Sequence, residues 1–201
     1  MKRTIIAVSI VLLAAMNVFS QQKTLISGDD LTLGGYFSPV VKFSSVHDDL
    51  GVFVGARGGL IVNHSFAIGF GGYGLASYVE ALNRGPLGER YMEMGYGGLD
   101  IEYIINPNDL VHFSVGTLIG AGGILFNDRS QGSEYWDERD PDVDAFFIAE
   151  PTVNVDLNVT TFLKTSLGAS YRLVSGLRSD VSNNAELSGF SAMLSIRVGK
   201  F

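Results

Sequence analysis

The stretch "AFFIAEPTVNVDL", residues 145–157, separates cleanly when every second residue is taken. Ala145, Phe147, Ala149, Pro151, Val153, Val155 and Leu157 carry no charge, while Glu150 and Asp156, with Asp144 just before them, fall on the other set. Successive side chains of a β-strand point to opposite faces, so a period of two predicts a strand with one apolar and one polar face.

The same alternation recurs on both sides. Eight segments carry it: Leu31–Phe43, Gly51–Val62, Phe66–Tyr78, Arg90–Ile104, Leu110–Phe126, Val143–Leu157, Thr161–Val174 and Ser188–Val198. Each is long for a strand of a water-soluble protein and suits a tilted membrane-crossing strand. One face runs Leu31, Leu33, Gly35, Phe37, Pro39, Val41 and Phe43 in the first strand, and Phe190, Ala192, Leu194, Ile196 and Val198 in the last. In the fourth strand the apolar set is read as Met92, Met94 and Tyr96 before Gly97–Gly98 and as Leu99, Ile101 and Tyr103 after it. A glycine bulge there is the expected cause. The opposite face then holds Lys42, Arg57, Glu93, Asp100, Glu102, Asp144, Glu150, Asp156, Lys164, Arg172 and Arg197, five basic against six acidic residues. Arg57 and Glu150, at similar mid-depth, are expected to share one internal charge network.

Pattern alone does not decide which face meets water, since a soluble sandwich or ligand-binding barrel would bury the apolar face. The polar face is too rich in glycine and too poor in charge for an ordinary wet surface. Connections also alternate in length. "SSVHDDL", "VEALNRGPLGE", "NDRSQGSEYWDERDPD" and "SGLRSDVSNNAEL" are read as the longer set, and "NHS", "NPND" and "NVT" as tight turns. Membrane barrels have short periplasmic turns and longer external loops, an apolar face toward lipid and a polar lumen. An all-β, eight-stranded antiparallel up-and-down transmembrane barrel follows, with both termini on the periplasmic side.

The ends of the chain fit export. "MKR", an apolar run and the polar "QQKTLISGDD" have the three-part pattern of a signal peptide, with cleavage expected after Ser20. The organisation is therefore a signal peptide over 1–20, a short segment over 21–30 and a barrel over 31–201. There is no cysteine, so disulfides, thiolate metal sites and a lipid-modified cysteine are excluded. A formal charge of −7 without a basic run argues against nucleic acid.

Together these features resemble the small eight-stranded outer-membrane barrels of the OmpA/OmpX type, over the whole mature chain. The terminal "LSIRVGKF" resembles the C-terminal signal of such barrels, which the outer-membrane insertion machinery reads, and this implies that Phe201 is an assembly signal. Phe190, Ala192, Leu194, Ile196 and Val198 are out of phase with Phe201, a departure from the family pattern that a bulge at Gly199 would restore and that otherwise weakens the resemblance. The "FSQ" start resembles Bacteroidetes exported proteins.

Shorter motifs yield little chemistry. "GFGGYG" (Gly69, Gly71, Gly74) matches a dinucleotide fingerprint, yet alternation runs through it and no helix follows. "GTLIG" sits in a segment read as a strand. His112 and Ser114 resemble the His-x-Ser of outer-membrane lipid A deacylases, and "VHDD" (His47, Asp48, Asp49) an omptin-like acid–histidine rim. Neither brings a full catalytic set. Asp140, Asp142 and Asp144 begin like a calcium loop, but Ala145 and Pro151 stand where Gly and Glu are needed. Loose divalent binding by Asp128, Glu134, Asp137, Glu138, Asp140 and Asp142 is the remaining metal reading.

An eight-stranded interior admits side chains only, so no general porin activity is expected, and with no full catalytic set at the outer rim neither enzyme activity nor a cofactor is expected. The implied role is structural or surface contact. Expected partners are outer-membrane lipid, the insertion machinery and an external ligand met by Tyr135, Trp136, Asp137, Glu138, Asp140 and Asp142. The competing readings are an outer-membrane enzyme and a secreted soluble barrel.

Overall fold

The computed structural model describes residues 31–46, 49–77, 79–80, 90–128, 143–177 and 184–201. The expected signal peptide, the 21–30 segment and the acidic loop with Tyr135, Trp136, Asp137, Glu138, Asp140 and Asp142 lie outside these residues, as do His47 and Asp48.

Eight long strands form: β1 Leu33–Val46, β2 Asp49–Val62, β3 Phe66–Leu75, β4 Arg90–Ile105, β5 Val111–Asp128, β6 Val143–Asn158, β7 Leu163–Ser175 and β8 Gly189–Lys200. Each pairs antiparallel with the next, and β8 pairs back onto β1. The sheet closes, and so has no edge, which is what a strand protein in lipid requires of its backbone. Val79–Glu80 adds a short strand against Tyr91–Met92, and Asn184–Leu187 forms one helical turn, α1.

The register fixes the barrel's geometry. Following partners from Gly34 through Ile61, Ala67, Glu102, Gly116, Thr152, Ser170 and Ser191 leads back to β1 at Ser44, ten residues further on. A stagger of ten tilts the strands strongly. Because ten is even, a side chain that points inward at the start of the circuit still does so at its end. Inward and outward therefore stay distinct all the way round.

Only the smallest residues fit at some points where neighbouring strands lie closest. Gly59 faces Gly69, and Gly98 faces Gly120. A Cβ on Gly59 would stand 2.2 Å from the Ile68 carbonyl oxygen, and one on Gly98 would stand 2.2 Å from that of Ile119. Both are too close for any side chain. "GFGGYG" is thus an ordinary piece of β3. Tight turns join the strands at one end: Asn63 and His64 both take positive φ, the signature of a two-residue hairpin turn that matches the twist of its strands. Two prolines interrupt the ladders. Pairing of β1 with β8 lapses between Phe37–Val198 and Val40–Ser195, around Pro39, and pairing of β6 with β7 lapses between Ala149–Leu173 and Thr152–Ser170, around Pro151. Proline has no N–H to give a ladder.

Three expectations need correction. The register of β4 against β3 and β5 runs unbroken through Gly97–Gly98, so no bulge shifts its phase. Met94 and Tyr96 point inward with Asp100 and Glu102, and Glu93 is exposed on the outer face. The interior is wide enough at this level for a tyrosine whose hydroxyl finds polar partners, and an inward Tyr96 gains them. The first connection is not long either: β1 and β2 continue to Val46 and Asp49, which pair, leaving two residues between them. Its polar serines belong to a hairpin. Third, no bulge forms at Gly199, which pairs with Tyr36 in the regular ladder.

Candidate functional site

The outer wall is apolar. Phe37, Leu60, Phe70, Phe113, Ile119, Phe147, Val153, Leu167, Leu194 and Ile196 are all exposed there. Charged groups are inside: Lys42, Arg57, Glu102, Glu150, Asp156, Arg172 and Arg197 are each at most 3% exposed, with Asp100 and Lys164 nearly as buried. In water both arrangements would be unfavourable. In a bilayer the first is required, and the second is tolerated because the charges are paired in a protein-lined lumen. The wall therefore meets lipid.

Two ionic clusters occupy different depths. Nearer the short turns, Glu102 accepts from two arginines. Arg57 Nη1 lies 2.7 Å from its Oε2, and Arg197 Nη2 lies 2.8 Å from each carboxylate oxygen. Asp100 stands 3.7 Å from Arg57 and accepts from the Tyr36 hydroxyl at 3.3 Å. The Arg197 guanidinium also lies 4.7 Å from the Tyr36 ring centroid. Just below, Asp156 accepts from Ser114 at 2.7 Å and from Ser166. Polar atoms remain here without a protein partner: Ser38 Oγ, Thr152 Oγ1, Asn154 Oδ1, Arg57 Nε and Arg197 Nε. Such atoms need ordered water.

The second cluster, nearer the long connections, centres on Glu150, which is fully buried. It accepts from Lys42 at 2.8 Å, Tyr96 at 3.0 Å and Ser170 at 2.7 Å. Lys42 Nζ also sits 3.4 Å from the Tyr73 ring centroid. Beyond this pair the interior turns apolar. Phe53, Met94, Ile124, Phe146, Ile148 and Val174 pack together, and Leu187 of α1 closes on them with no exposure. Arg172 fixes α1 there by donating from Nε to the Leu187 carbonyl at 2.7 Å, while its guanidinium lies 4.8 Å from the Phe53 ring centroid.

The expected lumen set is largely brought together, but not as one network. Arg57 bonds Glu102, Glu150 bonds Lys42, and the two do not meet. Glu93 is not a lumen residue. Without it, five basic and five acidic side chains share the interior side among the described residues, counting the half-buried Asp144. The reading of the inner face also missed the apolar packing. Phe53, Ile124, Phe146, Ile148, Val174 and Met193 stand on the same parity as the charges, and only their crowding toward one end of each strand could have signalled a plug. Ser114 and His112 are both buried. Ser114 donates to Asp156, and His112 Nδ1 lies 3.2 Å from the Asp109 carbonyl. Among the described residues no group of three His, Asp or Glu could hold a metal ion. Phe201 turns inward, half-buried against Tyr36, Ile61 and Ala67.

No protein-family model and no curated protein matches the chain. Solved structures do. Neisserial surface protein A is similar with a TM-score of 0.58 at 13% identity, over 86% of this chain and 100% of that one. The N-terminal β-barrel domain of Pseudomonas aeruginosa OprF is similar with a TM-score of 0.55 at 10% identity, over 83% of this chain and 96% of that one. With an apolar wall, an ionic interior and this topology, the chain has the fold of the small eight-stranded outer-membrane β-barrels.

Proposed function

We propose that this protein is an integral outer-membrane barrel with a structural or surface-contact role, and neither a general porin nor an enzyme. The observation that carries this reading is the filled interior. Two compensated ionic clusters and an apolar plug closed by Leu187 occupy the interior among the described residues. Function then belongs to the rims. On the external side the candidate contact surface is the acidic connection holding Tyr135, Trp136, Asp137, Glu138, Asp140 and Asp142, where aromatics stand among charges as in many contact patches. Phe201 serves the insertion machinery as an assembly signal, although its side chain faces inward. The absence of a catalytic role is supported by Ser114, whose hydroxyl is committed to Asp156 rather than to His112.

Planar-bilayer recording of the purified barrel tests the reading. No stepwise ohmic conductance is expected. Steady channels that pass small ions through the protein would overturn it.

A further inference from the structure

Phe201, which follows β8, has the parity of the buried Arg197 and turns to the inside rather than to lipid. Its ring packs against Tyr36 of β1, Ile61 of β2 and Ala67 of β3, all of them buried. From β7, the Lys164 ammonium lies 4.3 Å from the ring centroid. The backbone before it is held on both sides as well. Gly199 donates to the Phe162 carbonyl at 3.0 Å, and Lys200 pairs with Gly35. A Cβ on Gly34 would stand 2.1 Å from the Lys200 carbonyl oxygen, so the approach of β1 to this point needs a glycine there. These contacts divide by the order in which they can form. While the sheet is open, β8 has only β7 beside it, and β1, β2 and β3 lie at the opposite edge. The Lys164 contact is then available, but the apolar bed is not. Pairing of β8 with β1 is what carries the ring across the seam.

We propose that Phe201 changes partners when the barrel closes. Its ring is presented to the insertion machinery while the sheet is open, and Tyr36, Ile61 and Ala67 take it up once β8 meets β1, which favours release of the finished barrel. The proposal rests on the reading of Phe201 as an assembly signal, and it accounts for a signal residue that faces inward. The driving force is apolar burial: a ring bound by an outside reader in the open sheet gains a bed within its own chain on closure. Closure and release are thereby coupled through one side chain.

The test puts photoreactive p-benzoylphenylalanine in place of the exposed Lys200 of the full chain. Crosslinks to the insertion machinery are followed in cells by pulse–chase, and unheated gels separate chains of folded mobility from the rest. Crosslinks are expected on newly exported chains and should fall about tenfold on folded ones, the scale set by burying part of one phenylalanine ring. Ile61→Ala, which removes part of the bed, should keep crosslinks on chains that already have folded mobility. Ala67→Leu, which fills the bed, should do the same and decides the question if Ile61→Ala does not fold. Folded unsubstituted barrels that crosslink as strongly as new chains, or substituted barrels released as promptly as the unsubstituted one, would overturn the proposal alone. Phe201→Ala should weaken crosslinking of new chains. If it does not, the assembly-signal reading falls and the proposal with it.

Discussion

Two ends of one lumen solve the same problem differently. Near the short turns the interior is ionic and hydroxyl-rich. Glu102 is shared by Arg57 and Arg197, Asp156 is held by serines, and several polar atoms have no protein partner. Near the long connections one ion pair, Lys42–Glu150, is wrapped by Tyr73 and Tyr96 and roofed by Phe53, Phe146, Ile148 and Leu187, and the buried Arg172 donates to the Leu187 carbonyl while its Nη1 has no protein partner. The wall is the same alternating sheet at both ends. Nothing in a barrel's backbone dictates a polar lumen: an inward position can be filled by charge if every charge is compensated, or by hydrocarbon if the space is packed. The first solution tolerates water and the second excludes it. Joining them in series makes an interior that is mainly polar toward one mouth and mainly apolar toward the other.

The largest effect should come from the ionic end. Glu102→Leu strips the common partner from two buried arginines, and removing one member of a buried ion pair costs about 3–5 kcal/mol. A loss at the top of that range is expected in denaturant unfolding from detergent. A loss under about 1 kcal/mol would mean that water already solvates Arg57 and Arg197, and that the cluster is no cluster.

Phe146→Ala probes the dry end. Its ring fills the space over Gly122, where a Cβ would meet the ring's Cζ at 2.4 Å. Removing a buried phenylalanine typically costs about 3–5 kcal/mol through lost transfer energy and the cavity left behind. The lower part of this range is expected, because α1 is a single turn and can settle. No measurable loss would show that the plug is not packed. The smallest effect should be at Glu93. Standing on the outer face, it takes part in neither cluster, and Glu93→Gln should change stability by less than about 1 kcal/mol, the scale of an exposed charge. A loss as large as that of Glu102→Leu would restore Glu93 to the lumen and undo the continuous phase of β4.

Much of this was legible in the residues, because a closed sheet in lipid enforces alternation strand by strand. The outward sets of β1, β6 and β8 stand where their parity predicts. The reading failed where chemistry and parity part. In β4 the inward residues Met94 and Tyr96 look fit for lipid, and the outward Glu93 looks fit for a lumen, so hydropathy chose the wrong phase. Gly97–Gly98 offered a convenient place for a slip that the ladder does not make. Pairing of particular charges was beyond reach as well. Arg57 and Glu150 read as sharing a depth, but they belong to clusters at different depths, because partners are set by the stagger between distant strands, and a stagger of ten appears only once the barrel is closed. The apolar plug was hidden for the same reason: Phe146, Ile124 and Leu187 come from three strands or loops, and only closure brings them over one another.

Double-mutant cycles at Glu150 test the division of the lumen most directly. Glu150→Leu is combined once with Lys42→Met and once with Arg57→Met, and unfolding free energies are measured for every single and double variant in the same detergent. Contacting ionic residues couple by about 0.5–3 kcal/mol, and residues without shared partners add within about 0.5 kcal/mol. Lys42 with Glu150 should couple near the upper limit, the double variant recovering much of what either single loses. Arg57 with Glu150 should simply add. Comparable coupling in the two cycles, or stronger coupling to Arg57, would contradict two separate clusters and mean that one charge network runs the length of the barrel.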